Sequence, residues 1–348
     1  MEKGGSGMDS VVGFLVVFGV LVSVHEAGHY LVAKLVGVRV DEFSLGFGRA
    51  LITRRRGETL YAVRLIPLGG YVRLAGMELD KTPSRDPRAY PNKPRWQRFA
   101  VILAGPAMNL VLAAVLYVII FGPLGMPSPT TTIGVAMAGY PARAAGLQAG
   151  DRVVAVNHQP VHTWTQLSTA IVRHDHAAMA ITVRRGAATR TVTVHTRYDP
   201  AAHQRIIGIE PAYRTTHQPI FTAMANGAAA TVAFTGAWFA QLVQLVTGRL
   251  GLAVSGPVGI AVMVGQAVAA GWLSVLLLAA ALSANLGLFN VLPIPVLDGS
   301  RLWLLVVEAI RRRPLDPVKE GMIHMVGFVF LVLFVLFVTY HDLIRLVH

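Results

Sequence analysis

Long apolar runs alternate with short polar and basic stretches along this chain. Four runs are long enough to form transmembrane helices, because a helix needs roughly 20 mostly apolar residues to cross a bilayer. Two other stretches are rich in Ala, Gly and Val but contain polar residues, which favours an interfacial or re-entrant placement. The predicted spans lie at 10–36, 99–121, 271–292 and 322–340, and the two interrupted stretches lie at 219–246 and 252–270.

The pattern changes between Thr131 and Tyr213, where short β-rich runs such as DRVVAVN surround one helical stretch near Trp164–Arg173. This change predicts a small α+β domain between the membrane segments. Within it, GYPARAAGLQAGDRVVAVNHQPV resembles a PDZ domain. The resemblance implies a groove that takes a peptide, such as a substrate terminus, by strand addition. A PDZ-like spacer without a peptide is the alternative.

The predicted fold is therefore a polytopic α-helical membrane protein of about four transmembrane helices, with a cytoplasmic membrane-associated β-hairpin loop and an inserted extracytoplasmic PDZ domain. The predicted organisation is a tail at 1–9, an N-terminal membrane part at 10–122 that includes the loop 38–98, a PDZ-like domain at 127–213, a membrane-associated or interfacial helical region at 214–270, and a C-terminal membrane part at 271–348.

Composition and charge support a membrane protein with a defined orientation. Hydrophobic residues make up 54% of the 348 residues and charged residues only 14%. The net charge of +13 is not accompanied by a nucleic-acid motif, so anionic lipid is the expected partner and nucleic acid is not. By the positive-inside rule, the basic segments at 39–98 and 311–319 are cytoplasmic, which puts 122–218 outside the cytoplasm.

Two histidines and a glutamate interrupt the first apolar run in the motif HEAGH. His25 and His29 are four residues apart, so a helix puts both imidazoles on one face, with Glu26 beside them. Unpaired ionisable groups are costly inside a membrane, and a shared zinc ion offsets that cost. The plainer interpretation is that both histidines are hydrogen-bonded to a neighbouring helix.

A catalytic zinc usually has three protein ligands, so a third ligand is expected elsewhere. The chain contains no cysteine, which leaves His and carboxylate side chains. Asp298 is the strongest candidate, because the prolines of NVLPIPVLDG must open the helix there and let the carboxylate turn back toward the histidines. Glu308 competes for this role, but an interfacial salt bridge explains it adequately.

A β-hairpin is predicted at 61–74, where the alternation in ETLYAVRLIPLGGYVRLAG is broken by Pro67 and by Gly69 and Gly70. The two glycines permit a close backbone approach to another group. An ordinary hairpin without a role in binding explains the same residues.

Four motifs, HEAGH, GPAMN at 105–109, SGPVGI at 255–260 and NVLPIPVLDG at 290–299, together resemble the site-2 protease family of intramembrane zinc metalloproteases, in its bacterial branch with a PDZ domain. The resemblance implies that Zn²⁺ is bound by His25, His29 and Asp298 and that Glu26 is the catalytic glutamate. It also implies that Asn290 holds substrate near the metal. Asn109 matches a family asparagine, for which we expect a structural role.

Helix geometry predicts the depth of the site, and the family resemblance implies a function. If the first helix begins near residue 10, His25 lies about 22 Å into the roughly 30 Å core, toward the cytoplasmic side. We expect a multi-pass protein of the bacterial inner membrane that hydrolyses membrane-spanning substrates in regulated intramembrane proteolysis, with an anti-sigma factor as an example. Gly69, Gly70 and Asn290 are the expected substrate contacts. The alternatives are a PDZ-bearing membrane scaffold or receptor without catalysis and a metal transporter.

Overall fold

The computed structural model describes residues 7–77, 85–173, 178–199, 204–248, 256–313 and 317–347 of the chain. The chain divides into two compact units. One unit combines Met1–Gly122 with Pro219–His348, and the other is Pro123–Gln218. Residues 1–6 of the expected tail and Ser255 of the SGPVGI motif lie outside the described residues.

The first unit contains several helices and one long β-hairpin. Its helices are α1 (Gly7–Leu35), α2 (Arg95–Ile119), α5 (Ile220–Val246), α6 (Pro257–Ala270), α7 (Trp272–Phe289), α8 (Asp298–Arg311) and α9 (Pro317–Val347). A short 3₁₀ turn, Tyr90–Asn92, precedes α2, and a π turn, Ile120–Leu124, follows it.

Within the described part of the chain, five helical segments are long and apolar enough to cross a membrane: Val11–Leu35, Arg95–Leu124, Ile220–Leu245, Trp272–Phe289 and Gly321–Ile344. Four of them match the predicted spans. The additional segment belongs to α5, for which the sequence favours an interfacial placement, so the count of four is not confirmed. Its mean hydropathy, 1.3, is the lowest of the five, because Thr, Asn and Gln interrupt it.

The hairpin differs in extent from the predicted one. Strands β1 (Val40–Arg56) and β2 (Thr59–Leu74) pair antiparallel, and the turn between them contains Gly57 at φ +61°. The prediction of a separate hairpin at 61–74 is therefore wrong, because these residues form a single strand. Pro67, Gly69 and Gly70 lie at an irregularity within β2. The strand pairing changes there from Leu45 with Gly70 to Phe47 with Ile66.

Both long strands bend, so that the first part of β1 lies between two parts of β2. Phe43 pairs with Tyr61 on one side and with Val72 on the other. A buried carboxylate, Glu42, holds this layer together. Burial opposes its ionisation, but hydrogen bonds from Tyr71 and Arg64 outweigh burial and lower the pKa of Glu42. The residues that follow Gly70 are therefore held in place by hydrogen bonds from Tyr71 and Arg73 to the Glu42 carboxylate.

The hairpin base packs with the ends of α1, α2 and α8 in one apolar cluster. Ala33 of α1 and Val101 of α2 are fully buried in it, and Leu302 of α8 is nearly so. The two long helices approach closely, since a side chain at Gly28 would meet the backbone carbonyl of Ala104. Small residues at such crossings let membrane helices pack at short range. This contact sets the distance between α2 and the HEAGH turn of α1.

The second unit is an antiparallel sheet with two short helices. The sheet has the order β10 (Ile209–Thr216), β3 (Met126–Ala136), β4 (Arg152–Val156), β6 (Met179–Arg185) and β7 (Ala188–Val194), with β5 (Gln159–Pro160) paired to β4, while β8 (Arg197–Asp199) pairs with β9 (Gln204–Ile206). The helices are α3 (Pro141–Ala144) and α4 (Trp164–Arg173).

The core of this unit is formed by alternating strand residues and by the apolar face of α4. Ile133, Val153 and Val183 are fully buried in the sheet, and Leu167 covers them from the helix. Hydrogen bonds from the Arg185 guanidinium lower the pKa of the buried Asp151. The α4 helix coincides with the helical stretch that the sequence predicts.

Candidate metal centre

The HEAGH motif lies well inside α1, so its side-chain directions follow from regular helix geometry. The imidazoles of His25 and His29 lie on successive turns and meet edge to face, with ring centroids 4.8 Å apart and planes at 81°. Both residues are buried, at 7% exposure each. Their Nε2 atoms are 3.2 Å apart, which leaves two nitrogen atoms directed at one point.

The third group arrives from the break that the sequence predicts between two helices. Helix α7 ends at Phe289, before the first proline of NVLPIPVLDG, and α8 begins at Asp298. The Oδ2 atom of Asp298 lies 2.8 Å from His25 Nε2 and 3.1 Å from His29 Nε2. The three candidate ligands are thus brought together, although 269 residues separate Asp298 from the nearer histidine in sequence.

The size and chemistry of this cluster fit a zinc ion. Zinc bonds of 2.0–2.2 Å in tetrahedral geometry put ligand atoms about 3.3 Å apart, and the three atoms here are 2.8–3.2 Å apart. Two imidazole nitrogens and a carboxylate oxygen form a common donor set for catalytic zinc, which leaves a fourth position for water or substrate.

Helix α2 contacts both imidazoles from behind. The Nδ1–H of His29 donates to the backbone carbonyl of Val101 at 2.8 Å, so its Nε2 carries a lone pair in the neutral ring. The amide of Asn109 lies 3.1 Å from His25 Nδ1. Between these two contacts, a Cβ atom added at Gly105 would lie 2.8 Å from His25 Nε2 and would also collide with His29. Glycine at this position gives the imidazoles their space.

The loop that carries Asp298 is held by close backbone contacts. A side chain at Gly299 would collide with the backbone carbonyl of Leu292, so the loop closes tightly only with glycine there. Val296 adopts φ +79°, which is strained for a β-branched residue. Helix α9 supports the loop: the Val296 N–H donates to Nδ1 of His324 at 3.4 Å, and Pro295 packs against Gly327.

Glu26 lies where the hairpin meets the HEAGH turn. A Cβ atom added at Gly70 would lie 3.3 Å from Glu26 Cγ, and the backbone N–H of Val72 donates a hydrogen bond to the Glu26 carboxylate. The close approach that the two glycines predict is therefore made to Glu26 by Gly70. Its neighbour Gly69 adopts φ +138° and packs against the Phe47 ring.

The remaining residues singled out from the sequence occupy distinct positions. Asn290 caps the C-terminal end of α7 and is buried at 8% exposure. Glu308 forms an ion pair with Arg98 of α2, with Nη2 and Oε2 3.2 Å apart, which agrees with the salt bridge expected for it. Glu308 is not part of the three-atom cluster.

Comparison with known proteins identifies the family. The model of peptidase family M50 matches residues 13–334. The chain belongs to this family of zinc metalloproteases, the site-2 protease family.

Similarity to individual M50 proteins extends over nearly the whole chain. A predicted zinc metalloprotease of Clostridium acetobutylicum is 35% identical over 336 residues, which cover 96% of this chain and 97% of that protein. The zinc metalloprotease RasP of Geobacillus kaustophilus is 32% identical, with 97% and 98% covered. The regulator of sigma-W protease RasP of Bacillus subtilis is 31% identical, with 97% and 99% covered.

The M50 membership makes this chain an intramembrane zinc metalloprotease, so a scaffold without catalysis and a metal transporter are no longer retained. Zinc, when bound, supplies Lewis acidity, which polarises a carbonyl oxygen and makes a water molecule acidic. The fold adds contacts that sequence reasoning missed, namely the space left by Gly28 and Gly105 and the backbone contacts of Val101, Val72 and Gly299. Their sequence signals are small: the three glycines lie inside HEAGH, GPAMN and NVLPIPVLDG, and the two valines have no distinguishing signal.

Proposed function

We propose that this M50 protease performs regulated intramembrane proteolysis, hydrolysing a peptide bond of a single-span signalling protein such as an anti-sigma factor. The convergence of His25, His29 and Asp298 on one point carries the proposal. It is further supported by a relative at 31% identity that is named as a regulator of sigma-W protease. A site between apolar helices suits a substrate that is itself embedded in the bilayer.

The roles of the site residues follow from their chemistry. His25, His29 and Asp298 hold the zinc ion. Glu26 acts as general base toward the attacking water and then passes the proton to the leaving amine. The hydrogen bond from the Val72 N–H supports this role, because it fixes the direction of the Glu26 carboxylate relative to the histidines.

A substrate helix must unwind before cleavage, because its own hydrogen bonds shield its amides. We propose that the unwound segment is held as an extended strand beside Gly69 and Gly70 of β2, with Asn290 as a further contact. The position of Gly70 against Glu26 supports this placement, since a strand paired there lies within reach of the general base.

We propose an orientation in the bacterial inner membrane with the hairpin in the cytoplasm, four crossings, and residues 127–213 outside as a PDZ-like domain. Helix α5 then lies at the interface, since a spanning α5 would put the basic segments 39–98 and 311–319 on opposite sides. The cysteine-free chain allows a direct test. In intact cells, a membrane-impermeant maleimide should label Arg190→Cys but not Arg55→Cys or Arg312→Cys. Labelling of Arg55→Cys, or a different side for Arg312→Cys, would refute this orientation.

The PDZ-like unit is proposed to select substrates by their extracytoplasmic terminus. Its compact organisation as a separate unit, Pro123–Gln218, supports a function apart from the chemistry. Replacing residues 127–213 by a flexible linker should allow cleavage of substrates that still carry a long outer domain, without loss of zinc. Unchanged substrate selection would argue against a filter.

The central experiment separates catalysis from folding. Single-span membrane proteins are co-expressed with the wild type or with Glu26→Gln, and cleavage and zinc content are measured on the same preparations. Glu26→Gln should lower cleavage by about 10²- to 10⁴-fold, because it removes the general base, while zinc content stays at the wild-type level. Cleavage at the wild-type rate by Glu26→Gln would refute the proposed function.

A further inference from the structure

The Asn109 side chain is enclosed between α1 and α2 and contacts His25. Asn109 is fully buried at 0% exposure, and its Nδ2 atom lies 3.1 Å from His25 Nδ1. Its Oδ1 atom has no hydrogen-bond partner among the residues that the structure describes. A buried amide oxygen without a partner is costly. In this arrangement the NH₂ group of Asn109 has a hydrogen-bond partner and the amide oxygen has none among the described residues.

The zinc geometry conflicts with an amide NH₂ group directed at His25. A neutral imidazole that binds a metal through Nε2 carries its proton on Nδ1, and that N–H needs an acceptor. An NH₂ group is a donor and cannot accept it. Rotating the amide by 180° exchanges Oδ1 and Nδ2 with almost no change in shape, since the two atoms differ little in size. Oδ1 then faces the Nδ1–H of His25 and accepts it.

We propose that Asn109 is a positioning residue of the zinc site, whose Oδ1 accepts the Nδ1–H of His25 and thereby holds Nε2 in the metal-binding tautomer. The inference rests on the proposed role of His25 as a zinc ligand. It replaces the structural role expected for Asn109 from the sequence. Acceptors of this kind orient ligand imidazoles and raise their basicity.

The arrangement on α2 supports the proposal independently of the amide itself. Val101, Gly105 and Asn109 are spaced four residues apart, so they form one stripe along the helix. The carbonyl of Val101 accepts the Nδ1–H of His29, Gly105 leaves space for both rings, and Asn109 faces Nδ1 of His25. One stripe of α2 thus provides each imidazole with its own partner.

A hydrogen bond from α7 holds the backbone of α2 at Asn109. The hydroxyl of Ser283, which is itself fully buried, donates to the backbone carbonyl of Asn109 at 2.8 Å. The backbone at this position is therefore held from α7, while the side chain faces α1. Asn109 is suited to orient His25, because its own backbone is anchored.

The test measures zinc affinity of the purified full-length chain in detergent by competition with a chelator, with Zn²⁺ as the probe. Asn109→Leu, which is close in size but has no acceptor, should weaken zinc binding by about 10- to 100-fold. Asn109→Asp keeps an acceptor and should bind zinc within about threefold of the wild type or more tightly, because a carboxylate behind a ligand histidine is a common partner. Asn285→Leu, a matched change on α7, should leave zinc affinity unchanged.

Asn109→Asp also separates the two amide orientations. An ionised carboxylate only accepts hydrogen bonds, so weak zinc binding by Asn109→Asp would overturn the proposal and favour an amide that donates to His25. Zinc binding by Asn109→Leu at the wild-type level would overturn it as well. If Asn109→Leu is not recovered in folded form, the Asn109→Asp result decides alone.

A further variant distinguishes this inference from the proposed function. His25→Ala should lose stoichiometric zinc. If it retains zinc, the ligand assignment itself fails, whereas loss of zinc in His25→Ala with an unaffected Asn109→Leu refutes only the role of Asn109.

Discussion

The two parts of the chain that bring the proposed zinc ligands together differ in how they are built. Helix α1 is regular through HEAGH, so the four-residue spacing alone puts His25 and His29 on one face. The connection from α7 to α8 is irregular, with two prolines and with Val296 at φ +79°, and it presents Asp298 only at its end.

The positions of the two histidines are therefore set by local helix geometry, whereas the position of Asp298 is set by tertiary contacts. The histidines keep their relative positions as long as α1 is helical, and their neighbours need only leave space and provide acceptors. Asp298 has no such local geometry. Its position depends on the close contact of Gly299 with Leu292 and on the support that α9 gives to the loop. Substitutions in the loop should therefore affect zinc more than equally small ones around the helix.

The largest effect is expected for Gly299→Ala. Its new methyl group would meet the backbone at Val291 and Leu292, and backbone cannot move aside as a side-chain end does. Asp298 is displaced as a result, and the purified protein should lose stoichiometric zinc and proteolysis together. Zinc content by atomic absorption is the direct measurement.

Ser300→Ala is the matched control for Gly299→Ala. It removes only the hydrogen bond from the Ser300 hydroxyl to the Leu297 carbonyl, 2.8 Å long. We expect it to retain zinc. Wild-type zinc content in Gly299→Ala would show that the loop tolerates a side chain there and would remove the argument for tertiary control.

A smaller effect is expected for Gly105→Ala on the helix side of the site. The added methyl group would contact the Nε2 atoms of both histidines, which have some freedom to shift. Zinc affinity, measured by chelator competition, should fall by about 10- to 100-fold, the range found when support of a metal ligand is disturbed.

Gly236→Ala in α5 is the control for Gly105→Ala, because no atom lies within 4 Å of a Cβ added at this helical glycine. This change should leave zinc affinity unchanged and raise stability slightly, by about 0.5–1 kcal/mol, through the better helix propensity of Ala. Equal zinc affinities in the two variants would contradict the proposed need for space at Gly105.

The smallest effect is expected for Gly327→Ala in α9. The new methyl group would meet the ring of Pro295, whose Cβ atom is fixed to the backbone, so this part of the loop must shift. Because Pro295 lies three residues before Asp298, we expect only part of this shift to reach the carboxylate and zinc affinity to fall by about tenfold at most. A complete loss of zinc in Gly327→Ala would contradict the expectation that its effect on zinc binding is smaller than those of Gly299→Ala and Gly105→Ala.

Much of the metal centre could be predicted from the sequence for a physical reason. Ionisable residues are rare in apolar helices, so HEAGH stands out, and helix periodicity converts its spacing into geometry. Asp298 could be selected because prolines force a helix to open nearby. The ion pair of Glu308 with Arg98 agrees with the salt bridge expected for it from its position near the basic link.

Other features depend on contacts between distant residues and could not be predicted in the same way. The extent of the hairpin was misjudged, since Pro67 and Gly69 are usual turn residues but here form an irregularity inside β2. The contact of Val101 with His29 and the space at Gly105 require the crossing of α1 and α2. Helix α5 lies near the boundary between interfacial and spanning hydropathy, so its sequence alone does not decide its placement.

X-ray absorption at the zinc edge of the purified Glu26→Gln protein tests the metal site most directly. We predict one zinc per chain with two imidazole nitrogens and oxygen ligands at about 2.0–2.2 Å, and the loss of stoichiometric zinc in a further His29→Ala change. Zinc with fewer than two imidazoles in the parent protein, or a spectrum unchanged by His29→Ala, would contradict the convergence of His25, His29 and Asp298 on a single ion.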